Sequence, residues 1–92
     1  MSQTRATILD GAKHIVSADR QNDYGTPESN FGLIAAYWSA HLDHAVTASD
    51  VAVMLAQVKM ARIKTSPGKS DNWVDLAGYA ACGGEIACGG AA

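Results

Sequence analysis

The chain has 92 residues, enough for one small domain and too few for two. Charged residues make up 17% and apolar residues 48%, which excludes a disordered tail, because a tail needs low hydrophobicity and high charge. The formal net charge of −2 argues against a general nucleic-acid binder, whose domain is usually basic.

A core of this size is thin. With few charges and many apolar residues, some apolar surface is expected to be buried between chains. No apolar run reaches the roughly 18 residues of a membrane-spanning helix. The first residues carry no apolar stretch of the secretory kind. Cys82 and Cys88 are six apart, not in a C-x-x-C pair, and read as reduced thiols. A cytoplasmic protein with no membrane partner is expected.

Strand signals are nearly absent, because no segment alternates with period two. Four helical segments are expected instead. The first runs from about 4 to 18, with Ile8, Ala12, Ile15 and Val16 as its apolar stripe. A polar loop follows, Asp19-Arg20-Gln21-Asn22-Asp23-Tyr24-Gly25. Thr26 caps the second helix and Pro27 takes its first position, where the missing N–H has no partner to lose. Phe31, Ile34, Ala35, Trp38 and Leu42 form its apolar face.

Thr47 and Asp50 have the spacing of a capping box, with Val46 and Val51 as the hydrophobic staple. The third helix follows, from about 48 to 64, and is apolar almost all round. Such a helix is expected to be buried on most sides. Complete burial in so short a chain calls for a second copy, so Leu55→Asp is expected to dissociate or unfold the protein. Residues 65–70 form a turn, with Ser70 as the expected cap of a fourth helix. That helix carries Trp73, Val74, Leu76 and Ala77, and its glycines Gly78, Gly83 and Gly84 allow close backbone approach.

The most informative feature is charge placement. No acidic residue lies between Val51 and Ser70, while Lys59, Arg62, Lys64 and Lys69 fall in that window. Lys59 and Arg62 are three apart and share a helix face. A cationic cluster in a mildly acidic chain suits an anionic ligand: arginine offers a planar fork for phosphate, lysine a point charge. The same residues also read as ordinary partners of a helix C-terminus. Asp75 sits among apolar neighbours and needs a partner, for which Lys59 or Arg62 is the natural candidate. Arg20 is placed to reach a phosphate, and Tyr24 to stack on a base. His41 and His44 are three apart, but nothing joins them at a recognised metal-ligand spacing, so no metal site is expected there. Ser66-Pro67-Gly68-Lys69-Ser70 ends like a phosphate-binding loop but lacks its earlier glycine and preceding strand.

Asp19-Arg20-x-x-x-Tyr24-Gly25-x-Pro27-Glu28-x-Asn30-Phe31, Trp38-Ser39-Ala40, Asp50-Val51-Ala52, Lys59-x-Ala61-Arg62 and Asp71-x-Trp73-Val74-Asp75-Leu76-Ala77-Gly78-Tyr79 resemble a family of small phage and prophage proteins. That family is known mainly as a domain of unknown function, and its members often carry labels such as MazG-like or nucleotide diphosphohydrolase. The resemblance covers about residues 8 to 86. It implies an all-helical protein in the cytoplasm of an infected or lysogenic bacterial host. The MazG label implies a helical oligomer that hydrolyses nucleoside triphosphates with Mg²⁺, which requires clustered carboxylates. MazG-type enzymes supply them as Glu-x-x-Glu and Glu-x-x-Asp. This chain has only two glutamates, Glu28 and Glu85, and neither has an acidic neighbour three residues on. Asp71 and Asp75 are the closest acidic pair in the fourth helix. The scaffold is expected to persist without the metal site.

The expected fold is therefore all-α: one compact domain over residues 1–92, ordered about 4–88, with four helices, antiparallel neighbours and short loops, assembling as at least a dimer. In size and makeup the chain is similar to small helical phage proteins that sequester cyclic or ADP-ribose-derived signals of bacterial immunity. The expected function is such a non-catalytic sponge, an anti-defence protein that binds a nucleotide-like, phosphate-containing molecule without a cofactor. Arg20, Tyr24, Lys59, Arg62, Lys69, Trp73, Asp75 and Tyr79 are the expected ligand-binding residues, none of them catalytic. One alternative is a Mg²⁺-dependent nucleotide pyrophosphohydrolase built on Glu28, Asp71 and Asp75, with Asp50 or Asp19 contributed across a dimer. A second is a protein–protein inhibitor of a host enzyme. Nucleic acid is not an expected partner.

Overall fold

The computed structural model describes residues 3–17 and 24–89. Among them are four helices and no strand: α1 (Arg5–Val16), α2 (Pro27–Leu42), α3 (Ala48–Thr65) and α4 (Ser70–Cys88).

Local chemistry sets the helix ends. The Thr7 N–H donates to Thr4 Oγ1 at 3.2 Å and the Thr4 N–H to Thr7 Oγ1 at 2.9 Å, a reciprocal cap for α1. In α2, the Ser29 N–H donates to Thr26 Oγ1 at 3.2 Å, with Pro27 at the first position and Glu28 in the first turn. The helix stops at Asp43, whose φ of 51° is left-handed. Aspartate tolerates this region better than bulkier residues. Ser39 then ties the following loop: its hydroxyl accepts from the Val46 N–H at 2.8 Å. The expected box at α3 is present, with Asp50 N–H to Thr47 Oγ1 at 3.1 Å and Thr47 N–H to Asp50 Oδ2 at 3.0 Å. The Thr47 backbone N–H, followed by the Thr47 hydroxyl, holds the Asp50 carboxyl below its ordinary pKa.

The start of α4 differs from expectation. Ser70 is already helical, and Lys69 occupies the cap position without a side-chain hydrogen bond. The Lys69 N–H closes the turn on Ser66 O at 3.2 Å, and the Asn72 N–H bonds Lys69 O at 3.2 Å. The turn thus hands over to the helix one residue early and draws Ser70 inside. At the far end α4 stops at Gly89, with φ 64°.

Two pairs of contacts fix the topology. Lys59 meets Asp75, and Ala52 meets Gly83, so α3 and α4 run antiparallel. Gly11 lies against Val74 and Val16 against Gly78, so α1 runs parallel to α4. The expected antiparallel arrangement holds for α3 and α4, whereas α1 packs on the last helix.

The buried centre is Phe31, Ala35, Val51 and Ala52, and Val51 is wholly inaccessible. Ile34, Trp38, Val46, Leu55, Tyr79, Cys82 and Ile86 pack around it. Helix α3 is not buried on most sides within one chain: Val53, Val58 and Met60 are exposed. The inward face carries Val51, Ala52, Leu55 and Lys59, since helix faces repeat at three and four residues.

Candidate functional site

Where the C-terminal end of α1, the start of α2 and the middle of α4 converge, the helices leave a cavity of about 310 Å³. This lies at the lower end of the range for small-ligand pockets, roughly 300–1,000 Å³. Ile15 and Val16 come from α1, and Tyr24, Gly25, Pro27, Asn30 and Phe31 from the start of α2 and the residues before it. Lys59 comes from α3, and Asp75, Gly78, Tyr79 and Cys82 from α4. The Phe31 and Tyr79 rings are tilted at 48° with centroids 6.3 Å apart. Gly78 is buried, so backbone rather than a side chain forms that part of the wall.

Lys59 Nζ reaches Asp75 Oδ2 at 2.8 Å. Of the two partners expected for Asp75, Lys59 and Arg62, it is Lys59 that makes the ion pair. Its side chains are 12% and 30% exposed, respectively. The pair also forms one wall of a second, more open cleft of about 660 Å³, lined by Arg62, Thr65, Ser66, Lys69, Asp71 and Asn72. The two clefts therefore share Lys59 and Asp75. The first is lined by aromatic and aliphatic side chains and is the less open, and the second carries an excess of cations.

Six of the eight expected ligand-binding residues line this double cleft: Tyr24, Lys59, Asp75 and Tyr79 in the first part, Arg62 and Lys69 in the second, with the ion pair common to both. Arg20 lies outside the described residues. Trp73 is not brought to the site. It lies two residues before Asp75, about 200° around the helix, and faces away. Its indole N–H donates to Pro67 O at 2.9 Å, and it lines a separate groove with Gln3, Arg5, Ile8 and Leu9. Sequence reasoning missed Ile15, Val16, Asn30, Phe31 and Cys82 as cleft residues. A signal existed for two of these: Asn30 and Phe31 belong to the Tyr-Gly-x-Pro-Glu-x-Asn-Phe motif, and five of its residues line the cavity.

Among the described residues, the three carboxylates of the hydrolase alternative do not share one cleft. Among the described residues, no three His, Cys, Asp or Glu side chains form a group that could hold a metal ion. Asp71 and Asp75 share the open cleft, while Glu28 lines neither. Glu28 Oε1 is buried without a hydrogen-bond partner. No helix among the described residues is long and apolar enough to cross a membrane.

The family of the domain of unknown function DUF6378 matches residues 7–87. The chain is 36% identical over 76 residues to the "Gene 55 protein" of Mycobacterium phage D29, covering 83% of this chain and 50% of that protein. It is 39% identical over 75 residues to the "Gene 55 protein" of Mycobacterium phage L5, covering 80% of this chain and 48% of that protein. The chain thus spans about half the length of these curated relatives. No solved structure matches it. These matches support the resemblance to a phage family of unknown function and not the MazG-like label. With the family match running from α1 to the end of α4, the chain belongs to the DUF6378 family.

Proposed function

We propose that the chain binds a nucleotide-derived, phosphate-containing small molecule without turning it over, and sequesters it as a signal of bacterial immunity. One observation carries the binding reading: an aromatic cavity and a cationic cleft meet at the Lys59–Asp75 pair. A base has Tyr24, Phe31 and Tyr79 to pack against. A phosphate has Arg62 and Lys69, neither of which takes part in an ion pair among the described residues. The placement of Trp73 removes it from this set. Sequestration follows from tight binding at high copy number. Self-association, as a dimer or higher, uses the outward stripe of α3 that carries Val53 and Met60.

The test is to mix the purified protein with a panel of nucleotides, cyclic nucleotides and ADP-ribose derivatives in the presence of Mg²⁺. The filtrate is chromatographed first. The retained protein is then heated and its released ligand chromatographed. A compound that disappears from the filtrate and returns intact on heating supports sequestration. A compound converted to products without stoichiometric retention overturns it.

One observation favours the pyrophosphohydrolase reading: the orphaned Glu28 oxygen, a group that would gain from a cation or a donor. That reading needs further carboxylates, Asp71 and Asp75 together with Asp50 or Asp19 contributed across a dimer. It predicts Mg²⁺-dependent product formation in the same assay.

A further inference from the structure

The double cleft has a polarity, and Asp75 lies where its two parts meet. Lys59 and Asp75 are the residues common to both walls, so a molecule that fills the two parts passes over this pair. The pair is unequal. Lys59 is 12% exposed and is engaged by Asp75 Oδ2, whereas the Asp75 side chain is 30% exposed. A ligand crossing the junction meets mainly carboxylate. An ionised carboxylate only accepts hydrogen bonds. It repels a phosphate and favours a group that presents O–H or N–H.

The surroundings differ on the two sides of this point. Inward, beyond the pair, the wall is aromatic and aliphatic, with Phe31, Tyr79, Ile15 and Val16. Outward, it carries Arg62 and Lys69 beside Asp71. From inside to outside the order is ring surface, acceptor, cation. A nucleotide has the matching order of base, sugar hydroxyls and phosphate. The reverse orientation would set phosphate against aromatic rings and leave the arginine without an anion.

We propose that Asp75 is the specificity-determining residue of this site, accepting hydrogen bonds from the vicinal hydroxyls of a ribose, so that the ligand class is a ribonucleotide whose phosphate points to Arg62 and Lys69. This rests on the nucleotide-binding reading above and narrows it. The two oxygens of one carboxylate suit a vicinal diol, and hydrogen bonds to an ionised acceptor are the strong ones. A ligand lacking the diol leaves the half-exposed carboxylate with Lys59 alone.

The test is isothermal titration calorimetry of the whole chain with adenosine and guanosine 5′-diphosphates and with their 2′,3′-dideoxy counterparts. The ribonucleotides are expected to bind about tenfold or more tightly than the dideoxy compounds, the size of effect associated with hydrogen bonds to a charged group. This comparison uses the unaltered protein and does not depend on any variant folding. In Asp75→Asn, with folding checked by thermal melting, the preference is expected to shrink to within about threefold. Arg62→Ala is expected to weaken both series alike and leave their ratio unchanged. Equal affinity of the unaltered protein for ribo and dideoxy compounds overturns the role of Asp75 and leaves nucleotide binding standing. If no compound of either series binds, the assignment of a ribonucleotide to this cleft and the role of Asp75 fall, and the wider panel above decides the nucleotide-binding reading separately.

Discussion

A Cβ added to Gly83 would stand 2.8 Å from the Ala52 Cβ, because α3 and α4 touch there almost backbone to backbone. The Ala52 Cβ is fixed to its own backbone and cannot rotate away. Gly83→Ala gains helix propensity of about 1 kcal/mol and incurs overpacking of about 1–3 kcal/mol. The net expectation is a loss of up to about 2 kcal/mol, read as a lowered melting temperature. Gly84 has nothing within 4 Å of the same added atom. Gly84→Ala is expected to stabilise by up to about 1 kcal/mol. Adjacent glycines should thus shift the melting temperature in opposite directions.

The cap of α3 makes stability depend on pH. Asp50 has its pKa lowered, first by the Thr47 backbone hydrogen bond and then by the Thr47 side chain. A lowered folded-state pKa gives stability that is present above the unfolded pKa, about 3.9 for aspartate, and is lost as pH falls through the folded value. The protein should therefore lose part of its stability on acidification below the ordinary carboxylate range. Urea midpoints measured through that range should drop more steeply for the natural sequence than for Asp50→Asn.

Breaking the Lys59–Asp75 pair from one side leaves a charge behind. Lys59→Met keeps the stem and removes the ammonium, so Asp75 is stranded at 30% exposure. The cost should lie between that of an exposed and a buried pair, about 1–2 kcal/mol. The double variant Lys59→Met with Asp75→Leu should recover much of this, because no unpaired charge remains. Urea denaturation of the two variants measures it. A double variant no more stable than the single one would contradict the stranded-charge account.

The placement of Trp73 gives a ligand-independent contrast. Trp73→Phe removes the bond to Pro67 O, 2.9 Å long, and is expected to cost about 1 kcal/mol of stability. Nucleotide binding should be unaffected, since Trp73 lines the groove with Leu9 and Arg5 and not the double cleft. A loss of affinity in this variant would place the ligand elsewhere.

The sequence made the helix starts at Thr4, Thr26 and Thr47 legible because each is a local event: a hydroxyl meeting an N–H three residues on. Ser70 misled because the cap there is decided by a turn closed upstream, at Ser66. The partnership of α1 with α4 was not legible. An apolar stripe tells which face is buried and not what covers it. The same limit explains Trp73, an apolar residue assigned to the site by type although its helix face points away. The Lys59–Asp75 pair was readable because an acid in an apolar stretch needs a cation, and a neighbouring helix offered few. Ile15 and Val16 were not, since only the packing of α1 brings them to the cavity.

Self-association gives a last prediction. Val53 and Met60 are seven residues apart on one face of α3, 57% and 54% exposed, while Leu55 packs against the buried centre. Val53→Asp is expected to keep the melting transition of a folded chain and lower the mass in sedimentation. Leu55→Asp is expected to unfold the chain, because its charge enters the core without a partner. Unchanged mass in a folded Val53→Asp variant would remove this stripe as the contact between copies.

The parallel docking of α1 has a kinetic consequence. Helices α3 and α4 adjoin in sequence and close on each other through a four-residue turn, 66–69, a contact of short loop and low entropic cost. Helix α1 meets α4 across more than sixty residues, as between Gly11 and Val74. On loop entropy alone it is expected to dock after the hairpin and open before it, taking with it Ile15 and Val16, two walls of the cavity. Under the proposed binding function, opening of α1 would admit and release the molecule. Amide hydrogen exchange in α1 should be faster than in the α3–α4 hairpin and should slow selectively when the cavity is filled.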